Sequence, residues 1–356
     1  MKLSLLTLLL SGYILAGNLI ELLPYKTNEF SPALKQTFEI PFELKEDSTV
    51  KIDLYTPDNN LIRSLESKLL KKGAHHLLWD GKDKNGTVLP DEAYNIVVTA
   101  SNDKNTQSID NRKSGGVVLK NLNTKVDKAG NISYILSSPA RVLVRAGVEN
   151  GPMLRMISNW VPKNNGKVRQ RWNMRDADDL VDISTLEFGV TVSAFSLPQY
   201  AIITTNNTKI DYYTYFKSRN LSCNEVSQEK RILKRGEDAI SKHYYSCRIK
   251  DRDPRLFLDI PNALKNKQNI SLLENGKATI VKVSIHPEDE AVLEKAKYEI
   301  SFFVDFKFTS EEELGYMPIN WNFNPNAISK GKHILTVNVS SFTGQIGLKN
   351  YEFELK

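Results

Sequence analysis

Apolar and polar residues alternate most clearly in residues 73–86. The alternation ends at Trp79, and its period of two predicts a half-buried β-strand. Asp80-Gly81 and Asn85-Gly86 follow as turn dipeptides, since glycine adopts positive φ at no steric cost and Asp or Asn side chains bond nearby amides. A second alternating segment, residues 94–100, predicts the strand that closes this unit.

The alternation continues upstream and defines a module over residues 37–105. Residues 38–42, 49–55 and 61–65 each alternate, and each predicts a strand. Short strands at regular spacing, with no helical period, favour an antiparallel β-sandwich. Residues 19–36 contain prolines without periodicity, so we expect a linker or an edge segment there.

The same module is repeated over residues 128–207. Aligning Val50 with Val142 leaves 29 residues to Trp79 and 30 residues to Trp172. Register kept over a whole module indicates an internal repeat, which decides the fold class of this part of the chain. The second copy keeps the tryptophan and one turn aspartate but has lost the turn glycine.

The segment Gly-x-His-x-x-x-Trp-Asp-Gly-x-Asp-x-x-Gly at residues 73–86, with the approach from Pro90 to Tyr94, resembles the FlgD-type immunoglobulin-like domain. The resemblance covers residues 37–102 closely and residues 130–195 more weakly. Ala93 departs from the family, which usually has glycine there. The resemblance implies an all-β fold of tandem immunoglobulin-like antiparallel β-sandwiches, as in many secreted bacterial proteins. It supplies no catalytic residue and is specific for fold rather than function.

Two further segments follow the repeat. Residues 270–356 resemble bacterial surface immunoglobulin-like modules in general, which implies a third sandwich. Residues 208–269 form a basic, tyrosine-rich insertion that contains both cysteines. We expect strands at residues 213–216 and 243–248 on either side of a disulfide-closed loop, with a short helix at residues 226–241 as an alternative.

Residues 1–18 combine one lysine, an apolar run and small residues, the pattern of a secretory signal peptide; an uncleaved anchor is the alternative. Export accounts for the cysteines, because Cys223 and Cys247 would pair with each other in an oxidising compartment. The composition, 40% hydrophobic and 25% charged residues, is globular. We therefore expect a periplasmic, cell-surface or extracellular protein whose mature chain has no transmembrane helix.

The formal net charge of +6 is a mild bias, and much of the excess lies between Lys217 and Arg255. A solvated face is the simpler interpretation, and attraction to an anionic cell-envelope surface is the alternative. Nucleic acid is not an expected partner outside the cytoplasm.

Candidate site residues are few. Asp80, Asp83 and Asn85 offer oxygens that suit Ca²⁺, although capping of the turn is the simpler interpretation. Trp160 precedes a polar turn and is the aromatic residue most expected to contact a ligand. The five histidines lack metal-site spacing, and no nucleophile elbow or phosphate loop occurs. No catalytic residue, metal or cofactor is predicted.

Together these features favour a non-enzymatic secreted or envelope protein that acts as a structural, adhesive or scaffolding component. Its partner would be another envelope protein or a surface glycan. A carbohydrate-binding accessory protein is the first alternative, which a protruding Trp160 would favour. An envelope hydrolase is the second alternative, because a catalytic carboxylate pair cannot be recognised without its structural context.

Overall fold

The computed structural model describes residues 18–224, 239–293, 297–313, 315–326 and 328–356. The described residues form three mostly antiparallel β-sandwiches, each with its own buried apolar core, so the predicted all-β fold is confirmed. Within these ranges, no helix is both long and apolar enough to cross a membrane. The signal-peptide prediction, apart from Asn18, and most of the alternative helix at 226–241 lie outside them.

The first sandwich packs two sheets around Trp79, Tyr94 and the alternating apolar residues of its central strands. One sheet has the order β1-β3-β6, and the other contains β7-β4-β5 with β8 beside β7. The strands are β1 (Ile20–Leu22), β2 (Glu29–Phe30), β3 (Phe38–Leu44), β4 (Thr49–Tyr55), β5 (Leu61–Glu66), β6 (Gly73–Trp79), β7 (Ala93–Ser101) and β8 (Thr106–Asp110).

The second sandwich has the same arrangement. Its sheets, β9-β10-β13 and β12-β11-β14, correspond strand for strand to β1-β3-β6 and β5-β4-β7. The strands are β9 (Lys125–Val126), β10 (Asn131–Leu136), β11 (Ala140–Val148), β12 (Met153–Lys163), β13 (Gly166–Arg171) and β14 (Phe188–Ser196). The internal repeat inferred from the sequence is therefore a structural repeat.

After the second sandwich the chain returns to the first. Strand β15 (Ile202–Thr204) pairs with both β7 and β2. Helix α1 (Tyr212–Ser218) follows, and it places Tyr215 in the first core. The strand predicted at residues 213–216 is thus wrong. Tyr212, Tyr215 and Phe216 have helical spacing and form one buried face.

The second strand predicted in the insertion, at residues 243–248, is also wrong, because the structure has a short 3₁₀ turn there. Asp211 caps α1 by accepting the Thr214 amide at 2.8 Å, a local signal for helix that the sequence contains. The 3₁₀ turns of the described chain are Pro32–Leu34, Asn111–Lys113, Ile183–Thr185, Lys242–Tyr244 and Pro287–Asp289.

The third sandwich repeats the two-sheet plan. A small sheet has the order β16-β19-β22, and a larger one has the order β17-β18-β24-β23-β20-β21. The elements are β16 (Leu256–Asp259), β17 (Leu264–Lys265), β18 (Ser271–Leu273), β19 (Thr279–Ile285), α2 (Glu290–Leu293), β20 (Tyr298–Val304), β21 (Lys307–Glu312), β22 (Ile319–Phe323), β23 (Gly331–Ser341) and β24 (Ile346–Leu355). Its core stacks Trp321 on Phe302, with ring centroids 4.2 Å apart.

The predicted domain limits stay predictions. The segments 19–36 and 208–269 are, however, not separate units, because parts of both belong to the sandwiches. Within residues 19–36, β1 pairs with β3, and Leu19, Ile20 and Leu22 belong to the first core. Within residues 208–269, α1 packs on the first sandwich, whereas β16 belongs to the third. The insertion therefore connects the sandwiches.

Candidate functional site

The turn after Trp79 is organised by Asp83, which is 2% exposed. Asp83 Oδ1 accepts the amides of Asn85 and Thr87, both at 2.9 Å. The Trp79 indole N–H donates to the Lys82 carbonyl at 3.1 Å. An aspartate that bonds amides two and four residues ahead fixes the turn and explains why tryptophan and aspartate occur together.

The remaining oxygen of Asp83 contacts the insertion. Asp83 Oδ2 accepts the Tyr215 hydroxyl at 3.1 Å and pairs with Arg219 at 3.2 Å. Asp80 Oδ1 accepts the Lys82 amide at 3.2 Å. These contacts are those of turn capping. Calcium binding by Asp80, Asp83 and Asn85 stays a prediction, and both Asp83 oxygens already have protein donors.

The second copy reproduces this turn. The Trp172 indole N–H donates to the Arg175 carbonyl at 2.9 Å, and Asp176 Oδ1 accepts the Val181 amide at 2.8 Å. Asp176 Oδ2 accepts from Asn350 Nδ2, in the third sandwich, at 2.7 Å. In both copies the turn aspartate therefore caps its own loop and joins the sandwich to another part of the chain.

Trp160 is buried rather than protruding. It is 4% exposed, and its ring centroid lies 4.4 Å from that of His243 and 5.0 Å from that of Phe195. Arg141 donates to the Trp160 carbonyl at 3.1 Å. The exposed position that would favour sugar stacking is not found, because the insertion covers this ring. Ligand contact at Trp160 stays a prediction without structural support.

A buried ion-pair cluster joins the first two sandwiches and the insertion. Glu92, just before β7, is 1% exposed. Its carboxylate oxygens lie 2.7 Å from Arg141 Nη1 in β11 and 2.7 Å from Arg248 Nε in the insertion. Arg248 also donates to the Asn159 carbonyl at 3.0 Å. We call Glu92, Arg141 and Arg248 the junction triad.

The two arginines of the triad stabilise the charged form of the Glu92 carboxylate. Burial alone raises the pKa of Glu92, but the positive charges of Arg141 and Arg248 and the hydrogen bond from the Ala93 amide outweigh it and lower the pKa. Glu92 is therefore ionised at neutral pH. Removing one partner of such a cluster would leave a buried uncompensated charge.

The disulfide lies beside the triad. Cys223 and Cys247 are bonded, with Cα atoms 5.8 Å apart, which confirms the predicted pair. Asp58 accepts the Arg248 amide at 2.6 Å and the Tyr212 hydroxyl at 2.9 Å, and burial raises the pKa of Asp58. The described residues contain one compact group of potential metal-ligand atoms, Asp58 with the two cysteines, but the disulfide leaves no thiolate for a metal.

A second junction joins the middle sandwich to the third. Arg145 in β11 pairs with Asp253 at 2.7 Å, and burial raises the pKa of Asp253. Asn338 Nδ2 donates to the Met153 carbonyl at 2.9 Å. Lys349 pairs with Asp178. The third sandwich is thus held through its two longest strands, β23 and β24.

Most of the described cations between Lys217 and Arg255 have partners within the fold. Lys217 pairs with Glu288 at 3.1 Å, and Arg252 and Arg255 both pair with the buried Asp289. Burial raises the pKa of Asp289, but the hydrogen bonds from Arg255 and the charge of Arg252 outweigh burial, so the pKa of Asp289 is lowered overall. Five of the described cations between Lys217 and Arg255 therefore pair with acids, Lys242 donates to the Phe342 carbonyl, and Lys250 is exposed. Residues 225–238 of this segment lie outside the described ranges.

A basic surface also lies on the second sandwich, where sequence reasoning did not place one. Lys167, Arg169 and Arg171 are exposed at alternate positions of β13, and Lys125 is exposed on β9. We call these four residues the basic face. A groove of about 570 Å³ runs beside Lys125, Arg169 and Arg171 and is lined by all three strands of the sheet. The pattern Lys-x-Arg-x-Arg before Trp172 is the sequence signal that could have identified it.

Comparison with known proteins assigns one part of the chain. The family model described as the FlgD Ig-like domain matches residues 27–104. The basal-body rod modification proteins FlgD of Salmonella typhimurium and Salmonella typhi are each 47% identical over 45 residues. That match covers 13% of this chain and 19% of each relative, so the chain spans about a fifth of their length.

Solved structures give weaker matches. FlgD from P. aeruginosa is 25% identical, with a TM-score of 0.20, over 21% of this chain and 59% of that one. A tetra-tandem repeat from the extending region of a large adhesion protein is 11% identical, with a TM-score of 0.19, over 95% of this chain and 73% of that one. These scores are too low to add to the assignment of the matched segment.

Proposed function

We propose that this chain, which carries a FlgD-type immunoglobulin-like domain over residues 27–104, is a non-enzymatic structural, adhesive or scaffolding component of the cell envelope or its exterior. Export through the predicted signal peptide, to the periplasm, cell surface or medium, is part of the proposal. So is a partner that is either another envelope protein or a surface glycan. The relatives match over too little of their length to carry a flagellar role to this chain.

The observation that carries the proposal is the junction triad. Glu92, Arg141 and Arg248 come from three parts of the chain, and their charges are used to hold two sandwiches and the insertion together. Burying charges is expensive unless every partner is present, so such a cluster favours one defined arrangement of the modules. A fixed arrangement suits a protein whose task is to space or present binding surfaces.

The buried acids also argue against a hydrolase. A glycosidase needs two carboxylates about 5 to 9.5 Å apart that face a substrate cleft. Glu92, Asp289 and Asp176 are instead bonded to Arg or Asn side chains from other segments. In the part of the chain that the structure describes, these acids act as connectors.

The proposal is tested with the mature chain as bait in an envelope extract, using wild type and Glu92→Gln. We expect the wild type to retain one protein or glycan at constant stoichiometry. The variant should retain less of it, although circular dichroism shows that its sandwiches remain folded. If the wild type instead releases soluble fragments from an envelope polymer and retains no partner, the scaffold function is rejected in favour of a hydrolase.

A further inference from the structure

We propose that the basic face of the second sandwich binds an anionic surface polysaccharide. This inference rests on the proposed adhesive function and names the chemical class of its partner. The face consists of Lys125, Lys167, Arg169 and Arg171, and its occupant would be a linear chain that carries repeated carboxylate, sulfate or phosphate groups.

The strand geometry sets the spacing of the charges. The three cations of β13 occupy alternate positions, so they lie on one face about 6.6 to 6.8 Å apart. Lys125 and Arg169 both align with Ser133 of the central strand, one on each side, which places their backbones about 10 Å apart. The charges thus border a strip rather than surround one point, which suits an extended polyanion better than a single ion.

The four cations of the basic face are weakly compensated by the acid beside them. No described residue makes a hydrogen bond or ion pair with their side chains. The acid in the groove, Asp127, accepts instead from the Asn131 side chain at 2.9 Å and from the Asn131 and Ala129 amides. These hydrogen bonds lower the pKa of Asp127, and Arg171 adds a smaller contribution. One carboxylate therefore stands among four cations.

The internal repeat shows that the fold does not require these charges. With the two tryptophans aligned, Lys167, Arg169 and Arg171 correspond to Ala74, His76 and Leu78, which are the exposed positions of β6. The neighbouring strand of the first copy presents Glu39 and Glu43 beside them. The two equivalent faces thus share a backbone and differ in charge.

Protection of an exposed edge strand is the simplest competing explanation, since lysine and arginine discourage pairing between edges. However, β6 and β13 occupy the same edge position in their sheets, and the exposed residues of β6 include neither lysine nor arginine. Edge protection alone therefore does not account for the three cations of β13.

The composition of the face favours a polysaccharide over a protein. Protein interfaces usually have an apolar or aromatic centre. On β10, between Lys125 and the cations of β13, the outward residues are Asn131, Ser133 and Ile135, so two of the three central positions are polar and none is aromatic. Guanidinium groups bind carboxylate, sulfate and phosphate oxygens in a bidentate manner without such a centre.

The test measures binding of the full mature chain to alginate, a linear polyuronate, with dextran as the neutral polymer. The test variant is Lys167→Gln, Arg169→Gln and Arg171→Gln. The matched control, Lys68→Gln, Lys84→Gln and Lys104→Gln, removes the same charge from exposed positions of the first sandwich. Lys125→Gln serves as a second test variant on a different strand, should the triple variant not fold.

We expect wild type and control to bind alginate alike, and the test variant to bind about tenfold more weakly, since three exposed charge pairs contribute about 0.5 kcal/mol each. Binding should weaken from about 50 mM to about 300 mM salt. Equal losses in test and control variants, or binding only to polyglutamate or to anionic lipid vesicles, would overturn the inference. The scaffold proposal would survive that result if the Glu92→Gln experiment still shows a retained partner.

Discussion

At the scale of single residues, the turn after each tryptophan keeps its conformation although its glycine is not kept. Gly81 has φ of +70°, and Met174, at the equivalent position of the second copy, has φ of +59°. A left-handed methionine is strained, so other contacts must hold it there. The tryptophan and aspartate hydrogen bonds, present in both copies, are those contacts.

Gly81 differs from the nearby Gly86 in what a side chain would meet. A Cβ on Gly81 would lie 2.2 Å from the Pro32 ring, whereas a Cβ on Gly86 has open space. Both replacements by alanine force a left-handed residue, at about 1 kcal/mol, but Gly81→Ala should cost at least about 1 kcal/mol more through overpacking. Urea denaturation of the two variants measures the difference. Equal free energies of unfolding would contradict this account of the turn.

At the scale of elements, α1 stands where the sequence pattern predicts a strand. Aromatic residues at 212, 213, 215 and 216 suit a strand by propensity, but three of them have helical spacing and pack on the first sandwich. A seven-residue helix is not stable alone, so its docking decides its structure. Tyr215 is central to that docking, because its hydroxyl reaches Asp83 across the interface.

Replacing Tyr215 by phenylalanine tests the docking. The change keeps the buried ring and removes the hydrogen bond to the Asp83 carboxylate, so we expect a loss of about 1.5 to 3 kcal/mol in unfolding free energy. Hydrogen exchange of the α1 amides should also become faster. Tyr245→Phe, at an exposed tyrosine, is the control and should change neither quantity. An unaltered exchange rate in Tyr215→Phe would show that the helix docks by apolar contact alone.

At the scale of the whole molecule, the sandwiches were predictable and their connections were not. Alternation at residues 73–79 and the repeated tryptophan spacing indicated two similar β-sandwiches, because the period of a strand is local. Glu92 and Arg248 are 156 positions apart, and no local pattern marks them as partners. The sequence charge between Lys217 and Arg255 likewise suggested a surface, whereas Arg248, Arg252 and Arg255 pair with the buried Glu92 and Asp289. Charge pairing depends on the assembled fold, so composition alone did not identify the basic face of the second sandwich.

The junction triad makes stability depend on pH. The pKa of Glu92 is lowered on folding from its ordinary value of 4.5, so its contribution is complete above that pH and is lost as the pH falls. We expect Glu92→Gln to reduce the unfolding free energy at pH 7 by about 3 to 5 kcal/mol. The difference from wild type should shrink between about pH 5 and about pH 3. Denaturation at several pH values measures it.

Asp58 and Asp253 act in the opposite direction, because their pKa values are raised and their protonation favours the folded state. Comparing wild type with Glu92→Gln cancels the contribution of Asp253. That of Asp58 differs between the two proteins, because the charge of Glu92 is one cause of the raised pKa of Asp58. If the difference in unfolding free energy stays constant down to pH 3, the negative charge of Glu92 is not what stabilises the junction.

The return of β15 to the sheet of β7 has a consequence for the order in which the protein matures. Residues up to 204 must be synthesised before the first sandwich can receive that strand. The second sandwich, whose described strands end at residue 196, can already be complete by then. The chain is therefore nested: the inner unit can close while the outer one still lacks its final edge, and a chain truncated after residue 197 would contain every described strand of the second sandwich but not β15 of the first.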